Sequence, residues 1–251
     1  MAKGESELTT IAQKAPPPEE KTGGGITSAS QAKYFGQLQK YGQEKLGIKV
    51  GYSLHDIDFQ TVKDAVSEIE TIINEFPQAK GAFKWLSGNN KKKNAFAAAS
   101  FEGGIDLNGK KYKDLKSLGQ DYLDNVNDHF HPMGTTVKHI TTHEAGHILE
   151  KALIEKAYPG NDPWTKYSKI TAWNNCTLAK DIVGKALETV KNDLGVKGVK
   201  YNKSLMGTVS FYAQKNKSEC LAECVADYVA NGEKAKPLSK AVWKELKKEL
   251  G

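Results

Sequence analysis

Thr142-His143-Glu144-Ala145-Gly146-His147-Ile148-Leu149 places two histidines four residues apart in a helical pattern, with a glutamate directly after the first. Four residues advance a helix by about one turn, or roughly 6 Å of rise, so His143 and His147 share a face. Two neutral imidazoles at that spacing can share one Zn²⁺. Glu144 lies about 100° around the helix from His143. There it flanks the metal and can take a proton from a water that the metal acidifies. Ile140, Ile148, Leu149, Ala152 and Leu153 give the helix an apolar side. Gly146 costs it roughly 1 kcal/mol relative to alanine, which anticipates close approach of another backbone or a substrate at that position.

A zinc site of this kind needs a third protein ligand and one open position. Ser218-Glu219-Cys220-Leu221-Ala222-Glu223-Cys224-Val225-Ala226-Asp227-Tyr228 is the best source. Glu219, Glu223 and Asp227 recur every four residues on one face of an otherwise apolar helix, where burial and mutual repulsion demand a counter-charge. Two assignments follow. Either Glu219 binds the metal and Glu223 holds a histidine N–H from behind, or Glu223 binds and Asp227 supports; spacing alone leaves both open. His139 lies about 12 Å of rise from His147, too far to share an ion with it, and is read as packing or as support behind the ligands. His55, His129 and His131 are read as structural or exposed. Cys220 and Cys224 are read as small buried packing residues, not metal ligands.

Around these motifs, the order is sheet first and helices after, an α+β arrangement. Residues 1–30, with Ala15-Pro16-Pro17-Pro18 and Gly23-Gly24-Gly25, read as a disordered tail or linker. Residues 31–251 read as one domain. A short helix is expected over 29–41, a strand over 48–52 and an amphipathic helix over 59–76, stopped by Pro77. Strands over 82–86, 95–101 and 104–108 form a small mixed or antiparallel sheet. Helices are expected near 113–126, 136–157, 163–192, 204–213, 216–231 and 238–249.

Composition narrows the function classes. The chain has 251 residues and a net charge of +6, and all 36 of its basic residues are lysine. Without arginine there is no planar fork to read guanine edges or clamp phosphates, which argues against sequence-specific nucleic-acid recognition. No apolar run approaches the ~20 residues needed to span a bilayer. The start, Met1-Ala2-Lys3-Gly4-Glu5, carries no secretory signal, and three cysteines make no disulfide framework. A cytoplasmic or virion-associated location is the expectation.

The pair H-E-x-x-H and E-x-x-A-E resembles the gluzincin metallopeptidases, most of all the lethal-factor-type catalytic domain. That resemblance implies a zincin-like fold and one catalytic Zn²⁺ held by His143, His147 and Glu219. It implies Glu144 as general base and Glu223 behind the ligands. In that family a tyrosine seven residues before the glutamate ligand faces the reaction centre. Tyr212 stands seven before Glu219, which implies a role for it in stabilising the oxyanion. His131-Pro132-Met133-Gly134-Thr135-Thr136, leading into the first motif, is similar to zincin domains of phage head-associated proteins. The implied activity is zinc-dependent hydrolysis of protein or peptide substrates, which would lie along a sheet edge expected at Gly104 to Asn108. Two alternatives come with the resemblance: a head-associated structural protein that uses the fold for assembly and contacts virion or capsid components, and a protease toxin acting inside cells.

Overall fold

A computed structural model describes residues 25–90 and 94–251. The first strand, β1 (Lys49–Val50), is followed by the helix α2 (Phe59–Glu75), while a shorter helix, α1 (Phe35–Tyr41), precedes both. The expected helix over 29–41 is interrupted: Ala29–Gln31 forms a separate 3₁₀ turn. Helix α2 buries the stripe Val62, Ala65, Val66, Ile69, Ile72 and Ile73, and Asp58 caps its start by accepting from Thr61 N–H, as an N-cap carboxylate should. Of the expected tail, residues 1–24 lie outside the described residues. Ala29 is fully buried and its N–H donates to Glu70 Oε2 at 2.8 Å.

Three more strands, β2 (Trp85–Ser87), β3 (Ala97–Ala99) and β4 (Gly104–Leu107), complete a mixed sheet in the order β1-β2-β4-β3. β1, β2 and β4 are parallel; β3 runs antiparallel to β4. This corrects the expected substrate edge. β4 is paired on both sides, whereas among the described residues β1 and β3 each have one strand beside them, and of these two edges β3 is the one that lines the site cleft. The lysine run 91–93 lies outside the described residues.

The remainder is helical: α3 (Leu115–Asn127), α4 (His139–Ala157), α5 (Pro163–Asn174), α6 (Thr177–Asp193), α7 (Asn202–Val209), α8 (Lys217–Asn231) and α9 (Pro237–Leu250). The single helix expected over 163–192 breaks into α5 and α6 at Cys176, which takes a left-handed backbone with φ 52°. Asn174 and Asn175, weak helix formers, precede that break. Helix α4 is buried nearly all round from Ile140 to Ile154, not on one side only. It is the central helix, packed most extensively on α8 and also against α2, β3 and β4. The core forms one continuous apolar cluster shared by sheet and helices. Among the described residues no helix is long and apolar enough to cross a membrane.

Candidate metal centre

The site is built where α4 crosses α8. Gly146 makes that crossing close: a Cβ at this position would lie 2.7 Å from Ala222 Cα. The helix penalty of a mid-helix glycine is thereby accounted for by backbone approach. With the two helices in contact, His143 and His147 of α4 face Glu219 of α8. Asn216 caps α8, its side-chain oxygen accepting from Glu219 N–H at 2.8 Å, so the carboxylate is held in the helix's first turn.

Glu219 Oε2 lies 3.3 Å from both His143 Nε2 and His147 Nε2. It is buried and accepts no hydrogen bond. The other ring nitrogens face polar groups on the far side. Ser218 Oγ donates to Glu150 Oε2 at 2.5 Å, so it is positioned to accept from His147 Nδ1, 2.9 Å away. His143 Nδ1 lies 2.7 Å from Glu223 Oε1, a charge contact rather than a straight hydrogen bond. Nε2 of both rings faces the orphaned Glu219 oxygen, so three atoms of metal-ligand type converge on one point. A cation satisfies such a set, and its spacing matches one. Ligand bonds of 2.0–2.1 Å in a tetrahedral zinc site put neighbouring ligand atoms about 3.3–3.4 Å apart. His143, His147 and Glu219 are the residues that could hold it.

The electrostatics agree with the geometry. Burial alone would raise the Glu219 pKa, but the two imidazoles outweigh it and hold the carboxylate far below its ordinary range. Glu223, fully buried, is likewise held down to about 2 against its desolvation, by His131 and His143. Burial raises the Glu150 pKa against the Ser218 hydrogen bond.

Glu223 sits behind the site. Beside His143 it contacts His131 Nδ1 at 3.1 Å and accepts from Ser210 Oγ at 2.8 Å. Asp227 does not share this role. Its two oxygens accept from Asn231 Nδ2 at 2.7 Å and Lys236 N–H at 2.8 Å, tying α8 to the start of α9. The arrangement with Glu223 as ligand and Asp227 behind it is thus not the one the helices produce.

Tyr212 stands in a 3₁₀ turn, Tyr212–Gln214, not in the helix expected over 204–213. Its position is set by the chain before α4: Phe211 N–H donates to His129 O at 2.8 Å and Tyr212 N–H to Phe130 O at 3.2 Å. His129 turns that segment with φ 59°. The Tyr212 hydroxyl donates to Glu219 Oε1 at 3.0 Å, and its ring centroid lies 5.9 Å from that of His143. Burial above all, with Glu219 adding and Lys215 opposing, pushes its pKa up to about 12, so the phenol keeps its proton. Glu144 lies beside His143 in the same cleft, its side chain largely buried.

The cleft has two chambers meeting at His143, Glu144 and Tyr212. One, of about 500 Å³, is walled by Phe96, Tyr122, Phe130 and His131. The other, of about 640 Å³, is bounded by Trp173, Cys176, Lys215 and Asn216. Ala95 and Ala97 line both. Within β3, Asn108 N–H donates to Phe96 O and Ser100 N–H to Gly104 O. Residues 96, 98 and 100 thus form the hydrogen-bonded pairs of the ladder, and the backbone groups of Ala97 and Ala99 face the open edge.

Sequence reasoning missed four contributors: Ser218, Glu150, His131 and Lys215. Of the two readings of His139, the structure shows packing: it is buried and its Nδ1 accepts from Thr136 N–H at 2.9 Å. Cys220 and Cys224 are buried, unpaired thiols. Comparison with protein-family models, curated proteins and solved structures gave no match for this chain.

Proposed function

We propose that the chain is a zinc-dependent metallopeptidase of the gluzincin type, with His143, His147 and Glu219 as ligands. One observation carries the reading: the buried Glu219 Oε2, equidistant at 3.3 Å from two imidazole nitrogens and without a donor. Leaving such an oxygen uncompensated costs several kcal/mol, and a divalent cation removes that cost. Zn²⁺ held there supplies a Lewis acid that polarises a carbonyl and makes a water acidic near neutral pH.

The chain's own groups account for the rest. The edge of β3 offers outward N–H and C=O groups at Ala97 and Ala99 to a peptide in extended form, which fixes the scissile bond across the cleft. Glu144 takes the proton of the attacking water and hands it to the leaving amine nitrogen as the C–N bond breaks. The Tyr212 O–H, kept protonated by its buried setting, donates to the carbonyl oxygen as that atom gains charge. Glu223 and Ser218 hold the two imidazoles in orientation from behind, as carboxylates and hydroxyls do around metal-binding histidines.

The test is metal content after exposure to Zn²⁺. Wild type should hold one ion per chain, and Glu219→Ala and His147→Ala should hold it far more weakly. Equal metal binding in Glu219→Ala would remove the basis of the reading.

A further inference from the structure

Lys215 reaches the centre of the site. Its Nζ lies 2.7 Å from Glu219 Oε1 and 2.9 Å from the Tyr212 hydroxyl, and 4.7 Å from the centre of the Tyr212 ring. Its stem is half exposed in the cleft, whereas Glu219 is buried. Glu219 Oε1 therefore accepts from two donors, Tyr212 and Lys215, and Oε2 from none. The Tyr212 proton points at the carboxylate, not into the cleft.

We propose that Lys215 is a positioning residue that lets Tyr212 leave Glu219 for the substrate. This rests on the metallopeptidase reading. When a peptide carbonyl enters, the phenol O–H turns from Glu219 Oε1 to the carbonyl oxygen. Lys215 keeps Oε1 hydrogen-bonded through that turn, so no buried carboxylate oxygen on the inner side loses its last donor. Lys215 also goes on donating to the phenol oxygen. A hydroxyl that accepts from an ammonium is a stronger donor in turn, because chained hydrogen bonds polarise one another. The lysine acts through Tyr212, and the gain appears only as charge develops on the carbonyl. Its spacing serves both contacts: it stands three residues after Tyr212 and four before Glu219.

The experiment measures zinc content, kcat and KM for wild type, Lys215→Met, Lys215→Arg, Tyr212→Phe and the double variant Lys215→Met/Tyr212→Phe. Lys215→Met should keep one zinc per chain and lose roughly 10–100-fold in kcat with KM little changed. Lys215→Arg should restore most of that loss. The double variant should be no slower than Tyr212→Phe alone. Wild-type kcat in Lys215→Met, losses that multiply in the double variant, or loss of zinc in Lys215→Met would each overturn the proposal. A readout independent of turnover is hydrogen exchange at the Lys215 ammonium, followed by NMR. It should be slow in wild type and faster in Tyr212→Phe; exchange as fast as that of free surface lysines would overturn the bridge. A wild type with a slow ammonium but neither zinc nor cleavage would instead overturn the metallopeptidase reading, and the release step with it.

Discussion

Gly146 and Ala222 hold helices α4 and α8 at backbone contact: a Cβ on residue 146 would come within 2.7 Å of Ala222 Cα. That contact decides which acid of α8 meets the histidines of α4. Glu219 and Glu223 are one turn apart on the same face, and the offset between the two helices brings Glu219 to Nε2 of both rings and puts Glu223 beside His143 Nδ1.

Gly146→Ala should therefore both destabilise the fold and weaken the metal site. Overpacking costs about 1–3 kcal/mol, and the gain in helix propensity returns about 1 kcal/mol of it. For a chain of this size each kcal/mol moves the melting temperature by about 2–4 °C. Thermal unfolding with and without Zn²⁺ checks this; an unchanged melting temperature and unchanged zinc affinity would contradict it.

Glu223→Gln keeps the shape of the side chain and removes its charge from between His131, His143 and Ser210. Zinc affinity should fall by roughly 10–100-fold, the usual effect of losing a carboxylate behind a ligating histidine. Competition against a chelator reads this directly. Asp227→Asn serves as the contrast. It should leave zinc affinity nearly unchanged and lower stability, because Asp227 holds Asn231 and Lys236 instead.

Ala99→Pro removes an N–H that faces the open edge of β3 and leaves the ladder pairs to β4 in place. Proline is tolerated at such edge positions. The variant should fold and bind zinc as wild type does, and KM for peptide substrates should rise about tenfold through loss of main-chain pairing. Steady-state kinetics on a cleaved peptide, with circular dichroism as the folding control, measure this.

The alkaline limit of stability should be set by buried phenols. Burial raises the pKa of Tyr112 and Tyr122 well above that of a free tyrosine. The unfolded chain releases these protons near pH 10, and the folded chain holds them to higher pH. Stability from this source is complete below about pH 10 and is lost as pH rises beyond it. Urea midpoints at pH 8 and pH 11 should differ, and Tyr112→Phe should narrow the gap.

How far the sequence carries this account depends on which relationships are local. The pair His143 and His147, with Glu144 between them, follows from helical spacing within one segment, whereas the all-round burial of α4 does not, since spacing showed only one apolar side. The close approach at Gly146 was also legible, because a glycine in mid-helix is unfavourable without a reason. The choice between Glu219 and Glu223 was not, since it depends on the offset between two helices that meet through residues 71 positions apart, His147 and Ser218. The open sheet edge was assigned to 104–108 because strand order is a matter of topology. Only the antiparallel return of β3 shows that Ala97–Ala99, not 104–108, forms the edge on the cleft side of the sheet. His131 meets Glu223 two residues after His129 takes a left-handed backbone, a conformation that sequence does not announce at a histidine. Lys215 had a signal in its spacing from Tyr212 and Glu219, obscured by its being one among 36 lysines.

The most direct test of the central claim pairs metal analysis with a proteome-wide cleavage screen, run on wild type and on Glu144→Gln. Wild type should carry one zinc per chain and generate new peptide termini; Glu144→Gln should carry the same zinc and generate none. Equal cleavage by the two proteins would contradict the role of Glu144, and a wild type that neither binds zinc nor cleaves would contradict the account as a whole.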